Sequence, residues 1–162
     1  YGLCFFSLTA FQTVLAGGRE KVNVVFILAD DLGYGDLSCY GQERFQTPNI
    51  DALAHQGIRF TQCYAGTSVS APSRCSLITG MHTGHACIRG NSSVNSKYEV
   101  ALPQNITTIF KIFKDAGYAT GAFGKWGLGV VGGTGDPNKQ GVDVFYGYNS
   151  QLLAHNYYPE YM

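Results

Sequence analysis

Residues 22–29, Val-Asn-Val-Val-Phe-Ile-Leu-Ala, are a nearly unbroken run of β-branched and aliphatic side chains that stops at Asp30-Asp31. Such a run suits a strand buried on both faces of a parallel sheet. The rest of the chain alternates in the same sense. Thr47-Pro48-Asn49-Ile50 opens a predicted helix, with Thr47 as N-cap and Pro48 in the first position. Ile50, Leu53 and Ala54 form its apolar face and Gly57 ends it. Residues 58–65 read as a second strand, feeding a turn at Ser70. A helix is expected over 72–79, since nothing there breaks one and Gly80 is a natural stop. Thr107 or Thr108 caps another helix, with Ile109, Phe110, Ile112 and Phe113 apolar and Gly117 as the stop. Residues 118–123 read as a third strand, ending at Gly124-Lys125-Trp126. Strands alternating with helices predict an α/β architecture, a mainly parallel sheet flanked by helices. Ligands collect at the carboxyl ends of such strands. Asp30-Asp31, Ser70 and Lys125 all follow predicted strands, so they are expected to converge on one sheet edge.

The bulk properties exclude some partners. Eleven Lys and Arg balance eleven Asp and Glu, so net charge gives no case for nucleic acid or an anionic membrane. The 162 residues suffice for one modest domain or part of a larger one. The five cysteines, at 4, 39, 63, 75 and 87, contain no C-x-x-C pair, which disfavours a zinc ribbon or a thioredoxin-type site. Excluding Cys4, the other four form disulfides or remain small buried hydrophobes, and spacing alone does not pair them.

The chemistry concentrates at Ser70-Ala71-Pro72-Ser73-Arg74-Cys75-Ser76-Leu77-Ile78-Thr79-Gly80. Ser70 would lie at a helix N-terminus, where N–H groups and the macrodipole favour negative charge. Arg74, four residues on, can reach back toward that end. A nucleophile, an anion-friendly helix end and a fixed guanidinium suit hydrolysis of a charged ester. Asp30-Asp31 adds two adjacent carboxylates on a Gly-flanked turn, a pair that is costly to hold together unless a cation neutralises it. Hard oxygen donors point to Ca²⁺ or Mg²⁺, not zinc.

This stretch resembles the signature of the type I sulfatases: Cys or Ser, any residue, Pro-Ser-Arg, three residues, an aliphatic, Thr-Gly. The match is to the serine version, without a gap. Asp30-Asp31-Leu32-Gly33-Tyr34-Gly35-Asp36 is similar to the Asp-Asp-x-Gly-x-Gly-Asp that follows the family's first strand. Gly124-Lys125-Trp126-Gly127-Leu128-Gly129 is similar to its Gly-Lys-Trp-His-Leu-Gly, except that Gly127 replaces the His. The resemblance implies an alkaline phosphatase/sulfatase-like fold and hydrolysis of sulfate esters. It implies that Ser70 is oxidised to formylglycine by a maturation enzyme, and that Asp30, Asp31 and residue 70 bind a divalent cation, usually Ca²⁺, Mg²⁺ less often. Arg74 and Lys125 would then be catalytic, with Lys125 contacting the sulfate. The imidazole that usually hydrogen-bonds the formylglycine is missing at position 127. The hydrated aldehyde offers two hydroxyls, one to attack sulfur and one to release sulfate. Plain serine would stop at a stable sulfate ester.

The region after Gly124-Lys125-Trp126 resembles bacterial carbohydrate sulfatases, which implies a sulfated glycan sugar such as galactose or N-acetylgalactosamine, with an aryl sulfate also within reach. His155, in Ala154-His155-Asn156-Tyr157-Tyr158-Pro159, is the candidate substrate contact there; a packed aromatic loop is the other reading. His55 is expected to be solvated, and His82 and His85 either line the pocket or make a turn.

Residues 2–16 are mostly apolar, too short to span a bilayer, and carry Val14 and Ala16 where a signal peptidase reads. With the polar linker 17–21 they read as a secretory signal remnant, placing the mature protein in the periplasm or outside a bacterial cell. Residues 22–162 then form the N-terminal part of a catalytic domain several hundred residues long, expected to be inactive alone. Two alternatives stand beside this reading. One is a phosphate-ester hydrolase using unmodified Ser70; the other is a non-catalytic glycan-binding relic.

Overall fold

A computed structural model describes residues 21–91 and 100–160. The segment read as an export signal lies outside the described residues. Among these, no helix is long and apolar enough to cross a membrane. The chain divides at the Tyr64–Ala65 junction into two units, each considered by itself.

In the first unit, Pro48 starts helix α1, Pro48–Gln56, and Gly57 ends it as expected. Thr47 occupies the cap position without bonding the helix backbone through its side chain. Its hydroxyl instead donates to Asp51 Oδ1 at 2.9 Å. Ser38 Oγ donates to the other oxygen, Oδ2, at 2.6 Å, and the Cys39 N–H reaches Oδ1 at 2.9 Å. These donors, the Ser38 hydroxyl foremost, hold the Asp51 carboxyl below its usual range. The network ties α1 to a 3₁₀ turn at Ser38–Tyr40.

Residues 22–29 and 58–65 do not form the expected strands. Val22, Val24, Val25, Phe26 and Ile27 are all exposed, as are Ile58, Phe60 and Tyr64. An apolar, β-branched run sets a preference for burial, but a strand also needs a neighbour with which to share its ladder. Among the described residues none pairs with either run. The apolar positions Ile50 and Leu53 of α1 are exposed too.

The second unit carries the core. Helix α2, Ser70–Thr79, begins two residues earlier than Pro72 suggests. Proline is tolerated throughout a helix's first turn, because those N–H groups have no intrahelical acceptor. Gly80 closes α2 in the left-handed conformation, with its N–H on Ser76 O at 2.8 Å. The helix buries Ala71, Pro72 and Cys75, and Ala71 and Cys75 join Ala86, Ile88, Leu102, Trp126, Leu128 and Val142 in one cluster.

Helix α3, Ile109–Asp115, is capped by Thr108, whose Oγ1 accepts from Lys111 N and donates to Gln140 O at 2.7 Å. Strand β1, Gly121–Lys125, runs parallel to β2, Val144–Tyr148, in the register Gly121↔Val144 to Lys125↔Tyr148. β1 starts and ends slightly later than the sequence suggests, and β2 is a strand that the sequence pattern does not mark. The parallel pair agrees with the expected α/β class. Ala122 and Phe145 pack on the core; Phe123, Val144 and Tyr146 face away and are exposed. A Cβ on Gly147 would fall 2.0 Å from Gly124 O, so glycine there permits close approach of the strands. The crossover through 126–143 is pinned by Trp126 Nε1, which donates to Gly135 O at 2.8 Å, and by buried Gln140, which donates to Pro103 O and Thr134 O. Thr120 and Asp143 clamp the entrance of the pair: Thr120 N–H donates to Asp143 Oδ2 and Asp143 N–H returns to Thr120 Oγ1.

Candidate active site

Ser70 is the first residue of α2, preceded by Val69 in an extended conformation. That change of backbone direction presents the serine at the helix mouth. Its Oγ accepts a hydrogen bond from Arg74 Nε at 3.0 Å, one helical turn on. The same guanidinium donates through Nη1 to the Lys125 carbonyl at 2.7 Å. Arg74 therefore joins the start of α2 to the carboxyl end of β1. Three sequence-predicted residues, Ser70, Arg74 and Lys125, are thus brought together. Ser70, Arg74 and Lys125 are all half-buried, so Arg74's two donors are fixed where water competes less than at an open surface.

The helix mouth has a further support that the sequence did not signal. Ala71 N–H, one of the donors left unpaired at a helix start, donates to Asn91 Oδ1 at 3.0 Å. Asn91 lies twenty residues from Ala71 and follows no local pattern, so only the fold reveals it.

Past Lys125 the ladder continues: Trp126 N–H reaches Tyr148 O at 2.9 Å and Gly127 N–H reaches Asn149 O at 3.0 Å. Gly127 is buried at φ +68°, and a Cβ there would lie 2.0 Å from Gln151 Nε2. The Gln151 carboxamide therefore fills the space into which a side chain at 127 would project. His155 sits on a 3₁₀ turn, Leu153–His155, with Nδ1 2.7 Å from Gln151 O. It is exposed and bonded locally, and the bond ties it to the segment that places Gln151. His82 and His85 shape a turn: His82 O accepts from His85 N and Ala86 N, and His82 Nδ1 accepts from Gly84 N.

Asp30 and Asp31 belong to the first unit. They occupy a turn in which Asp31 takes φ +61°, a left-handed conformation uncommon for a residue other than glycine. Asp36 braces the loop by accepting the Gly33 N–H at 2.7 Å. The two carboxylates are exposed hard oxygen donors of the kind Ca²⁺ and Mg²⁺ take. They fit such a cation in kind and would supply part of its shell. Among the described residues, no group of three or more His, Cys, Asp and Glu gathers to complete it.

Comparison with known proteins gives the family. The sulfatase family model matches residues 22–162. An N-acetylgalactosamine-6-O-sulfatase of Bacteroides thetaiotaomicron is 45% identical over 134 residues, covering 78% of this chain and 26% of that protein. An arylsulfatase of Klebsiella aerogenes is 40% identical over 156 residues, covering 90% and 33%. Among solved structures, one described for the metabolism of multiple glycosaminoglycans by Bacteroides thetaiotaomicron superposes with a TM-score of 0.71 at 40% identity, over 83% of this chain and 29% of that one. Ps i-CgsB superposes at 0.68 and 36% identity, over 76% and 27%. The chain belongs to the sulfatase family. It shares the fold of its solved neighbours over the matched part, and spans about a quarter to a third of the length of these relatives.

Proposed function

We propose that the protein carrying this chain hydrolyses sulfate esters, through a formylglycine derived from Ser70 and a divalent cation, Ca²⁺ before Mg²⁺, held in part by Asp30 and Asp31. The observation that carries the reading is the Ser70–Arg74–Lys125 arrangement at the mouth of α2 in a sulfatase-family chain. The aldehyde hydrate would supply one hydroxyl to displace the alcohol from sulfur and a second whose deprotonation frees sulfate. The cation would supply charge neutralisation.

The chain's own residues do the rest. α2 holds residue 70 at its N-terminal end, where the helix dipole favours a sulfate. Arg74 orients residue 70 through Nε and offers a fixed positive charge to the sulfate oxygens. Lys125, whose backbone carbonyl accepts from Arg74, would add an ammonium group. Both would act as positive charges where negative charge develops. Gln151 stands in the space beside Gly127, where the family's imidazole would project.

A sulfated sugar is the substrate class we favour. One relative is named for N-acetylgalactosamine, and Ps i-CgsB was solved in complex with k-i-k-neocarrahexaose. Export to the periplasm or beyond and a maturation enzyme as partner belong to the same proposal. The test is turnover of an aryl sulfate and of 6-sulfated N-acetylgalactosamine by the protein after co-expression with a serine-type maturation enzyme. Sulfate release that disappears in Ser70→Ala is expected. Release of phosphate but not sulfate by protein with unaltered Ser70 would overturn the proposal.

A further inference from the structure

The pair of thiols beneath the helix mouth belongs to no step above. Cys75 is fully buried on α2, and its Sγ lies 3.7 Å from the Sγ of Cys87. Cys87 is exposed, while its neighbours Ala86 and Ile88 are buried in the core. Those two anchors hold Cys87 in place against α2. The Cys39 and Cys63 thiols belong to the first unit.

We propose that Cys75 and Cys87 form a redox-responsive staple, closed as a disulfide by a small-molecule disulfide such as oxidised glutathione, that fastens α2 to the segment leading to Asn91. A disulfide requires its sulfurs about 2.05 Å apart, so closure from 3.7 Å needs a modest side-chain rotation. The accessible Cys87 thiolate attacks one sulfur of the oxidant and expels one thiolate. Cys75, on losing its proton, then attacks Cys87 Sγ and expels the second. The protein loses two electrons and two protons, and the oxidant leaves as two thiols.

Burial, reinforced by Cys75 alongside, pushes the Cys87 thiol up to about 11. Thiolate is therefore scarce at neutral pH, and closure accelerates as pH rises toward that value. The structural effect reaches the site. The stapled segment ends at Asn91, whose side chain accepts the Ala71 N–H beside Ser70. The proposal does not depend on whether Ser70 is modified.

The experiment treats the native protein with oxidised glutathione across a pH series, quenches with acid, unfolds and alkylates it, and digests with trypsin. Arg74 and Arg89 bound a single peptide, 75–89, that contains both cysteines. The expected result is a peptide two hydrogens lighter than its dithiol form that takes no alkyl groups, and takes two after reduction. Closure should quicken with pH, and the melting temperature should rise by several degrees and fall back on reduction. In Cys87→Ser the oxidant should no longer move the melting temperature. A peptide that stays doubly alkylated, or that keeps glutathione on Cys87 without closing, would overturn the proposal. So would pairing of Cys75 or Cys87 with Cys39 or Cys63.

Discussion

Gly127→Ala probes the least expected feature of the site, the packing of Gln151 where a side chain would otherwise project. Two penalties arise. The backbone stands at φ +68°, where an L-residue costs about 1–2 kcal/mol. The new Cβ would also lie 2.0 Å from Gln151 Nε2 and 2.7 Å from Cδ, so the whole carboxamide must swing out. Its bond to Gly127 O, at 3.5 Å, is long and would be given up in the swing. Lost packing and reordering add roughly 0.5–1.5 kcal/mol, the lower part of the range for coupling between touching residues. The total is about 1.5–3.5 kcal/mol, or roughly 3–14 °C in melting temperature for a domain of this size. In Gln151→Ala the second penalty vanishes, and Gly127→Ala should cost only the backbone part. Denaturant unfolding of the four proteins in this cycle should therefore give a coupling of about 0.5–1.5 kcal/mol. Additivity within about 0.3–0.5 kcal/mol would refute the placement of Gln151 over Gly127.

Other expectations concern single groups. Arg74→Ala should lower kcat of the sulfatase reaction by about 10²–10³, as for loss of one preorganised donor. Arg74→Lys should recover little, because an ammonium cannot bridge Ser70 Oγ and Lys125 O with the geometry of a guanidinium fork; full rescue by lysine would argue that only charge matters. Thr108→Val removes the α3 cap and strands a buried carbonyl at Gln140, and should destabilise by roughly 1–3 kcal/mol in denaturant unfolding. The Lys114 ammonium, with the Thr120 backbone N–H, holds the Asp143 carboxyl below its usual range. Its stabilising effect is present above the unfolded carboxylate pKa and is lost as pH falls through the lower folded value. Stability measured against pH in the acid range should therefore flatten in Asp143→Asn; an unchanged slope would remove Asp143 from that account.

What the sequence could disclose follows from which forces act locally. Gly57, Gly80 and Gly117 mark helix ends because a turn needs no distant partner. Arg74 reaches Ser70 because four residues make one helical turn, so that pair was legible before any coordinates. Residues 22–29 misled because apolar content reports a wish for burial, not the presence of a pairing strand. β2 is hard to read because it is only five residues long and Gly147 interrupts it, while its register is set by β1. Asn91 and Gln151 act across twenty or more residues, and no spacing rule points to either of them.

The account stands or falls on the chemical state of residue 70. Tryptic peptide 60–74 contains it, bounded by Arg59 and Arg74. In catalytically active protein this peptide should weigh two hydrogens less than the encoded serine peptide and should capture a hydrazide, as an aldehyde does. Active sulfatase whose peptide retains the encoded mass and ignores the hydrazide would contradict the account.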